Sequence, residues 1–358
     1  MITENEAGFD AAAMVAADLS GFVLDGTALR LKEGQTQMQW HKSSKRPPPP
    51  SAGAPESAAQ AIRLTLAERG EPTSYLHLQA AVLQALSQQN ALSPDERDPS
   101  INHATHAYNI YNQARQLMLE SLAPAGPFIR YQGGKSSIEI GKWWSKAPLA
   151  AEQPLADRVE MAIVKLFQEK VTLSTEEINL SLCSMFPGLQ TPDAPLIQTI
   201  LQSYGEINAA GLWQLKPNDS TSSRRADVAE IYTILAETGQ MLGFNVRREQ
   251  PLVWEEALNG KPVYFYLIAS AIMGKIINEA DHPPEQGMIV LPGSRAALVM
   301  HKRERDPRLN FRLDGGWRFL KFRHVRRLEE NEHLSPQNLA SFFALDPLSH
   351  DLAQLPLL

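Results

Sequence analysis

The sequence predicts an α+β chain of several domains: a small N-terminal β hairpin or meander, two successive units of three helices and a strand pair, and a C-terminal three-layer α/β domain. Three observations predict it. Proline- and serine-rich stretches punctuate the chain, the first being "SSKRPPPPSAGAP". Between them, apolar residues recur at helical spacing in groups of three segments, each group closed by a β-prone run around a glycine. Beyond Arg224 short strands alternate with helices, and "YFYLI" is apolar at both parities, as a central strand covered on both faces must be.

The segments follow in order. "GFVLDGTALRLKEGQTQMQWHK" alternates apolar and polar residues around Gly26 and Gly34, which predicts short strands in residues 1–42. Residues 43–55, with four consecutive prolines, read as a stiff linker. In residues 56–150, Ser57 and Gln60 have the spacing of a capping box, and Ala58, Ile62 and Leu66 predict a helix from Ser57 to Arg69. A second helix is expected from Ser74 through Leu86, a third over 102–119, and a hairpin turning at Gly133-Gly134 in "PFIRYQGGKSSIEIGKWW". Residues 151–219 repeat the plan: Val159, Ile163, Leu166 and Phe167 line one helix face, Ser174 and Glu177 form a capping box, and a third helix ends at Gly205 before the strand "GLWQLKP". Three helices and a hairpin are the order of a winged helix, so two in tandem are expected, with "PNDSTSS" as a linker after the second. Residues 220–328 are expected to hold a long helix ended by Gly243, the strand pair "VRREQPLVWEE" and "PVYFYLIAS", a helix in "AIMGKIINEA", the strand "GMIVL", a helix in "SRAALVMHKRERD" and a final strand "WRFLKF". Residues 329–358 form a tail that packs on this domain or on a partner.

Composition limits the function. The chain has 358 residues, 43% hydrophobic and 21% charged, with no apolar run near the ~20 residues a bilayer demands, so no membrane span is expected. The acidic N-terminus lacks a signal-peptide pattern and the single Cys183 excludes an internal disulfide, which together predict a cytoplasmic protein. Charge is segregated. Residues 295–327 carry eleven cations against three acids, or +8, inside a chain of net charge −6, leaving −14 for the remainder. Such a segment concentrates positive potential suited to a polyanion. The alternative, that these side chains pair with acids elsewhere, is open at the level of sequence. The expected DNA-facing set is Arg295, Lys302, Arg303, Arg305, Arg318, Lys321, Arg323, Arg326 and Arg327, with Lys321 and Arg323 outward on the last strand, and Arg130, Lys135 and Lys142 on the first wing. In the first unit His103, His106, Asn109, Asn112 and Arg115 are placed to face a groove; in the second, Asp193, Gln198, Thr199 and Gln202 bring no cation. Gly293 and Ser294 open a helix as an anion-binding corner or as an ordinary N-cap.

Catalytic motifs are not expected. "QGGKSS" lacks the leading glycine of a phosphate loop, since position 129 is Ile129. His103 and His106 have no third ligand nearby, and Cys183 is expected on an apolar helix face, so neither metal nor cofactor is predicted. The element order after Arg224 is also that of restriction-endonuclease-like nucleases, which place an acid and then Glu-x-Lys on paired strands to hold a divalent ion. Here the second strand ends in Ile268, Ala269 and Ser270, and Glu255 and Glu256 fall in an expected turn, so the scaffold reads as one with its metal site erased; Lys261 and Lys275 read as surface residues.

The stretches "RGEPTSYLHLQAA", "PLADRVEMAIVKLF", "LCSMFPGLQTP", "RRADVAEIY", "YLIASA", "VLPGSRAALV", "WRFLKFRHVRRL" and "ALDPLS" resemble the C-terminal, non-catalytic region of large bacterial adenine-specific DNA methylases of restriction and phage-defence loci. Nothing matches the methylase Asp-Pro-Pro-Tyr tetrapeptide or its glycine-rich cofactor loop. The resemblance implies a non-enzymatic DNA-binding adaptor, either a separate subunit or a fragment, partnered by double-stranded DNA and by a DNA methylase or helicase. The alternatives are a metal-dependent nuclease with a displaced active site, and a protein-only scaffold or transcription regulator.

Overall fold

The computed structural model describes residues 22–25, 28–31, 54–89, 103–133, 137–148, 153–329, 333–345 and 348. The chain forms two compact units, Met1–Ala151 with Phe186–Thr191, and Glu152–Met185 with Pro192–Leu358. It is a mixed α+β protein with four sheets among the described residues.

In the first unit, β1 (Phe22–Asp25) and β2 (Ala28–Leu31) pair antiparallel, with Asp25 opposite Ala28; the expected turn at Gly26 lies outside the described residues. Helix α1 (Ala54–Arg69) starts before the expected capping box, which places Ser57 inside the helix. Its stripe of Ala58, Ile62 and Leu66 buries against α2 (Tyr75–Gln89) and α3 (His103–Ser121). Burying each such large side chain contributes about 1.5–3 kcal/mol. Thr73–Ser74 forms β3 beside β5 (Lys142–Ser145), which also pairs with β4 (Phe128–Gln132). Strands β4 and β5 are joined by residues 133–141, of which 134–136, Gly134 of the expected tight turn included, lie outside the described residues. Gly133 and Gly141 close the neck of this connection: both have positive φ, and a Cβ on Gly141 would lie 1.9 Å from the Gln132 carbonyl oxygen. Residues 137–140, "SIEI", form a turn and bend rather than a strand, and β5 waits for Lys142.

The second unit begins with three helices, α4 (Leu155–Glu169), α5 (Thr175–Met185) and α6 (Ala194–Tyr204), and the strands β6 (Gly205–Ile207) and β7 (Trp213–Leu215). The Ser174/Glu177 capping box forms in both directions, with Ser174 N–H donating to Glu177 at 2.8 Å and Glu177 N–H to Ser174 Oγ at 3.2 Å. "PNDSTSS" is not a linker. Pro217–Asp219 is a 3₁₀ turn, and Ser220 caps α7 (Thr221–Met241) by accepting from Ser223 N–H at 3.2 Å.

The remaining sheet has the order β12-β11-β10-β9-β8, built from β8 (Val246–Arg247), β9 (Leu252–Leu258), β10 (Lys261–Leu267), β11 (Gly287–Leu291) and β12 (Arg318–Lys321). β8, β9 and β10 are antiparallel neighbours, while β11 and β12 continue parallel to β10. β10 is central, as its two apolar parities require. One sheet face packs Trp254, Val263, Phe265, Met288, Val290 and Leu320 against α7, α11 (Phe322–Glu329) and α12 (Leu339–Phe343). Helices α8 (Gly274–Glu279), α9 (Ala296–Arg305) and α10 (Pro307–Asp314) complete the domain.

Two expectations fail instructively here. "WRFLKF" is a strand only to Lys321; from Phe322 the chain is helical, because Phe322, Val325 and Leu328 at three-residue spacing bury one side of α11 between its arginines. Glu255 and Glu256 lie inside β9 rather than in a turn, Glu256 at φ 56 where the pairing with β10 is irregular.

Trp254 ties α7 to the sheet. Its Nε1 donates to the Leu235 carbonyl at 3.0 Å, and its ring lies so close to Gly239 that an added Cβ would sit 2.5 Å from Nε1. We therefore expect Gly239→Ala to destabilise the protein by about 1–3 kcal/mol, read as a lowered urea midpoint; an unchanged midpoint contradicts this packing.

Candidate functional site

In an open sheet of this kind, ligands collect where parallel strands end, outside their carboxyl edge. Here that edge is formed by Leu267, Leu291 and Lys321, followed by residues 268–273, 292–295 and α11. It is closed by the chain's own helices. Lys302 of α9 is 5% exposed and its ammonium donates to Asp157 at 2.5 Å, to Glu160, and to the Ala271 carbonyl at 3.1 Å. Glu160 is saturated, because its other oxygen accepts from the Tyr204 hydroxyl and from Ala271 N–H at 2.8 Å.

A second buried cation lies beside the first. Arg295, fully buried, donates to the carbonyls of Ala269 at 3.1 Å and Ser203 at 2.7 Å and to the carboxylate of Asp219, with its guanidinium 3.4 Å from the centre of the Tyr204 ring. Asp219 also accepts from Arg224 at 2.8 Å. The two networks thus join α4, α6 and the 217–219 turn to both loops at the strand ends.

The electrostatics follow from burial and charge count. Burial alone would lower Lys302, but the carboxylates of Glu160 and Asp157 outweigh it and hold its pKa above the ordinary value. Asp157 has the opposite balance: burial raises its pKa, and Lys302 only partly offsets this. Burial, then Glu160, raises Tyr204, so the phenol stays protonated and donating. Nearby, burial and Arg305 push His301 down to about 4, leaving it neutral at physiological pH.

The positions at which a sequence reading looks for a nuclease's acids are apolar or engaged. Strand register sets Leu252 opposite Phe265, so the neighbours of the β10 carboxyl end are Leu252 and Pro251. Glu255 lies toward the other end of the strand pair, held by Asn245 at 2.6 Å and Arg247 at 3.1 Å. Lys261 is 3.8 Å from Glu285, and Lys275 is exposed. Among the described residues no group of three His, Cys, Asp or Glu is placed to hold a metal ion, and Cys183 is exposed on α5 rather than turned into an apolar contact.

The predicted basic face is largely dispersed. Arg295, Lys302 and Lys321 are buried, and burial removes them from any surface a polyanion reaches. Arg303 pairs with Asp314 at 2.5 Å, Arg305 with Asp193 at 2.5 Å, and Arg326 forks onto Glu230 at 2.9 and 2.7 Å while also meeting Asp227 at 2.7 Å. Arg318 donates to the Glu285 carbonyl at 3.0 Å. Arg323 and Arg327 are exposed on α11. On the first unit Arg130 lies 5.0 Å over the Trp143 ring and donates to Ser137, Lys142 is half-buried, and Lys135 is outside the described residues. Arg115 is exposed, 3.9 Å from Glu139; the side chains of residues 103–109, including His103, His106 and Asn109, are outside the described set. The Gly293–Ser294 corner is not an open anion site, since Arg295 turns inward to Asp219 and the Ser294 carbonyl accepts from Ser203 at 2.9 Å; nor does Ser294 cap α9. Asp193 caps α6, accepting from Leu196 N–H at 3.0 Å, while Gln198 and Gln202 are exposed.

Asp157, Glu160, Tyr204 and Asp219 were not singled out from sequence. A signal existed: Glu160 shares a helix stripe with Ile163 and Phe167, and Lys302 shares one with Leu298 and Val299, so each helix places a charge where its core residues point.

Comparison with family models, with curated proteins and with solved structures finds no match for this chain. No described helix is long and apolar enough to cross a membrane.

The network makes an ordered prediction. Lys302→Met leaves two carboxylates buried without their cation and should cost about 3–5 kcal/mol. Glu160→Gln should cost less, and Asp157→Asn least, because burial already disfavours that charge. A raised folded pKa means the Asp157 charge weighs against folding above its folded pKa and not below the ordinary carboxylate range. The relative advantage of Asp157→Asn should thus be present at neutral pH and vanish in acid, as read from urea unfolding across pH; Asp157→Asn costing most would contradict the assignment.

Proposed function

We propose that this chain is a non-enzymatic DNA-binding and adaptor subunit of a bacterial DNA modification, restriction or antiphage system, working beside a DNA methylase or helicase. The observation that carries the non-enzymatic part is the closed strand edge: where a restriction-endonuclease-like reading of the sequence expects acids, the chain has Pro251, Leu252 and Ile268–Ser270, and the carbonyls of Ala269 and Ala271 are bound by Arg295 and Lys302. The winged-helix reading of the two helical segments supports a binding role. Electrostatic contact is proposed for Arg323 and Arg327 on α11, with Arg130 on β4 and Lys142 on β5. A protein-only scaffold is the second reading, favoured by the pairing of Arg303, Arg305 and Arg326 with acids of the same chain.

Binding to a random-sequence duplex, followed by fluorescence anisotropy, should weaken steeply with salt. The Arg323→Ala/Arg327→Ala variant should bind more weakly and reduce the log–log salt slope by about 1.8. No binding at low salt rejects the DNA reading in favour of the scaffold. With magnesium or manganese the duplex should stay intact; cleavage abolished by Glu255→Gln or Glu256→Gln would establish the nuclease alternative.

A further inference from the structure

The charges at the strand edge pose a physical question that the binding reading leaves unanswered. Buried ion pairs seldom stabilise more than apolar residues of the same shape, because each ion loses its hydration. Yet the joint between the helical segment and the sheet domain is built on them, with Asp157, Glu160 and Asp219 on one side and Lys302 and Arg295 on the other. The contacts are directional: Glu160 accepts from Lys302, Tyr204 and Ala271 N–H, and Arg295 donates from all three of its nitrogens. A displaced helix would leave several of these groups buried and unpaired, at about 1–3 kcal/mol for each neutral group and more for each charge. An apolar joint carries no such penalty and tolerates sliding.

The face of α6 makes the same point. In a winged helix the third helix is the one presented to a groove. Here Asp193, Ser203 and Tyr204 of that helix are engaged by Arg305, Ser294, Glu160 and Arg295. The helix is committed to an intramolecular partner.

We infer that the buried charges are an orientation-specifying device: they seat α4 and α6 on the carboxyl edge of the β10–β12 sheet in one arrangement only, making those helices permanent occupants of the edge. This stands whether or not the chain binds DNA.

The test uses the full chain with Cys183→Ser and spin labels at Gln198→Cys and Lys275→Cys, both exposed positions, and reads the inter-label distance distribution. In the native background one narrow distribution is expected. In the triple Asp157→Asn/Glu160→Gln/Lys302→Met, which discharges the Lys302 cluster, leaves the Arg295–Asp219 pair in place and keeps the acceptors for the Tyr204 hydroxyl and the Ala271 N–H, a similar melting temperature with a broadened or split distribution is expected. The double variant Glu160→Gln/Lys302→Met, in which Asp157 can take up a proton, should broaden likewise and gives a second reading if the triple folds poorly. Arg305→Ala, which removes only a partly exposed pair, should leave the distribution narrow. A single narrow native-like distribution in both charge-depleted variants overturns the inference. So does a collapse of the melting temperature in both, which would make the charges stabilising rather than specifying.

Discussion

The ammonium of Lys302, enclosed by Asp157, Glu160 and the Ala271 carbonyl, is the constraint on which the second unit depends. It fixes α4 against α9, and through Glu160 it fixes Tyr204 at the end of α6 and the backbone of the loop after β10. Arg295 repeats the arrangement seven residues earlier, just before α9 begins, reaching the loop at Ala269 and the turn at Asp219. Once these groups are buried, none can move alone without stranding the others, so local side-chain chemistry sets the geometry of a whole domain joint. The consequence for function is that the sheet edge best suited to a ligand already has an occupant.

The charge segregation of the sequence acquires a different meaning in this setting. The +8 segment and its acidic complement are not two separate surfaces. Asp157, Glu160, Asp193, Asp219, Asp227 and Glu230 come from residues before the basic segment and meet Lys302, Arg305, Arg295 and Arg326 within it. Much of the positive charge is paired inside the molecule, while Arg312 on α10 and Arg323 and Arg327 on α11 are exposed. Of the two readings open from sequence, internal pairing accounts for the larger share.

Local signals in the sequence were legible where neighbours in the chain decide the outcome. The reciprocal cap of Ser174 and Glu177, the end of α6 at Gly205 and the central place of β10 follow from spacing, glycine and parity. What sequence spacing missed was decided at longer range. "FRHVRRL" follows directly on the last strand yet is helical because Phe322, Val325 and Leu328 find a core on one side. α10 escaped notice although Asp306 and Pro307 form an ordinary N-terminus, with Asp306 accepting from Arg308 N–H at 2.9 Å, because its short basic stretch lacks a long apolar stripe. The joint itself joins residues 142 positions apart, Glu160 and Lys302, and no local pattern connects them. Only the intrusion of a charge into each helix's apolar stripe marked the two ends.

Native-state hydrogen exchange at the Ala271 amide tests the account most directly, because that N–H donates to the buried carboxylate of Glu160. If the charge network is a fixed part of the fold, Ala271 should exchange only through global unfolding, with the same denaturant dependence as Ile289 and Val290 in the central strand β11. Exchange through a local opening, orders of magnitude faster than β11 and insensitive to denaturant, would show that the joint opens on its own and would contradict the account.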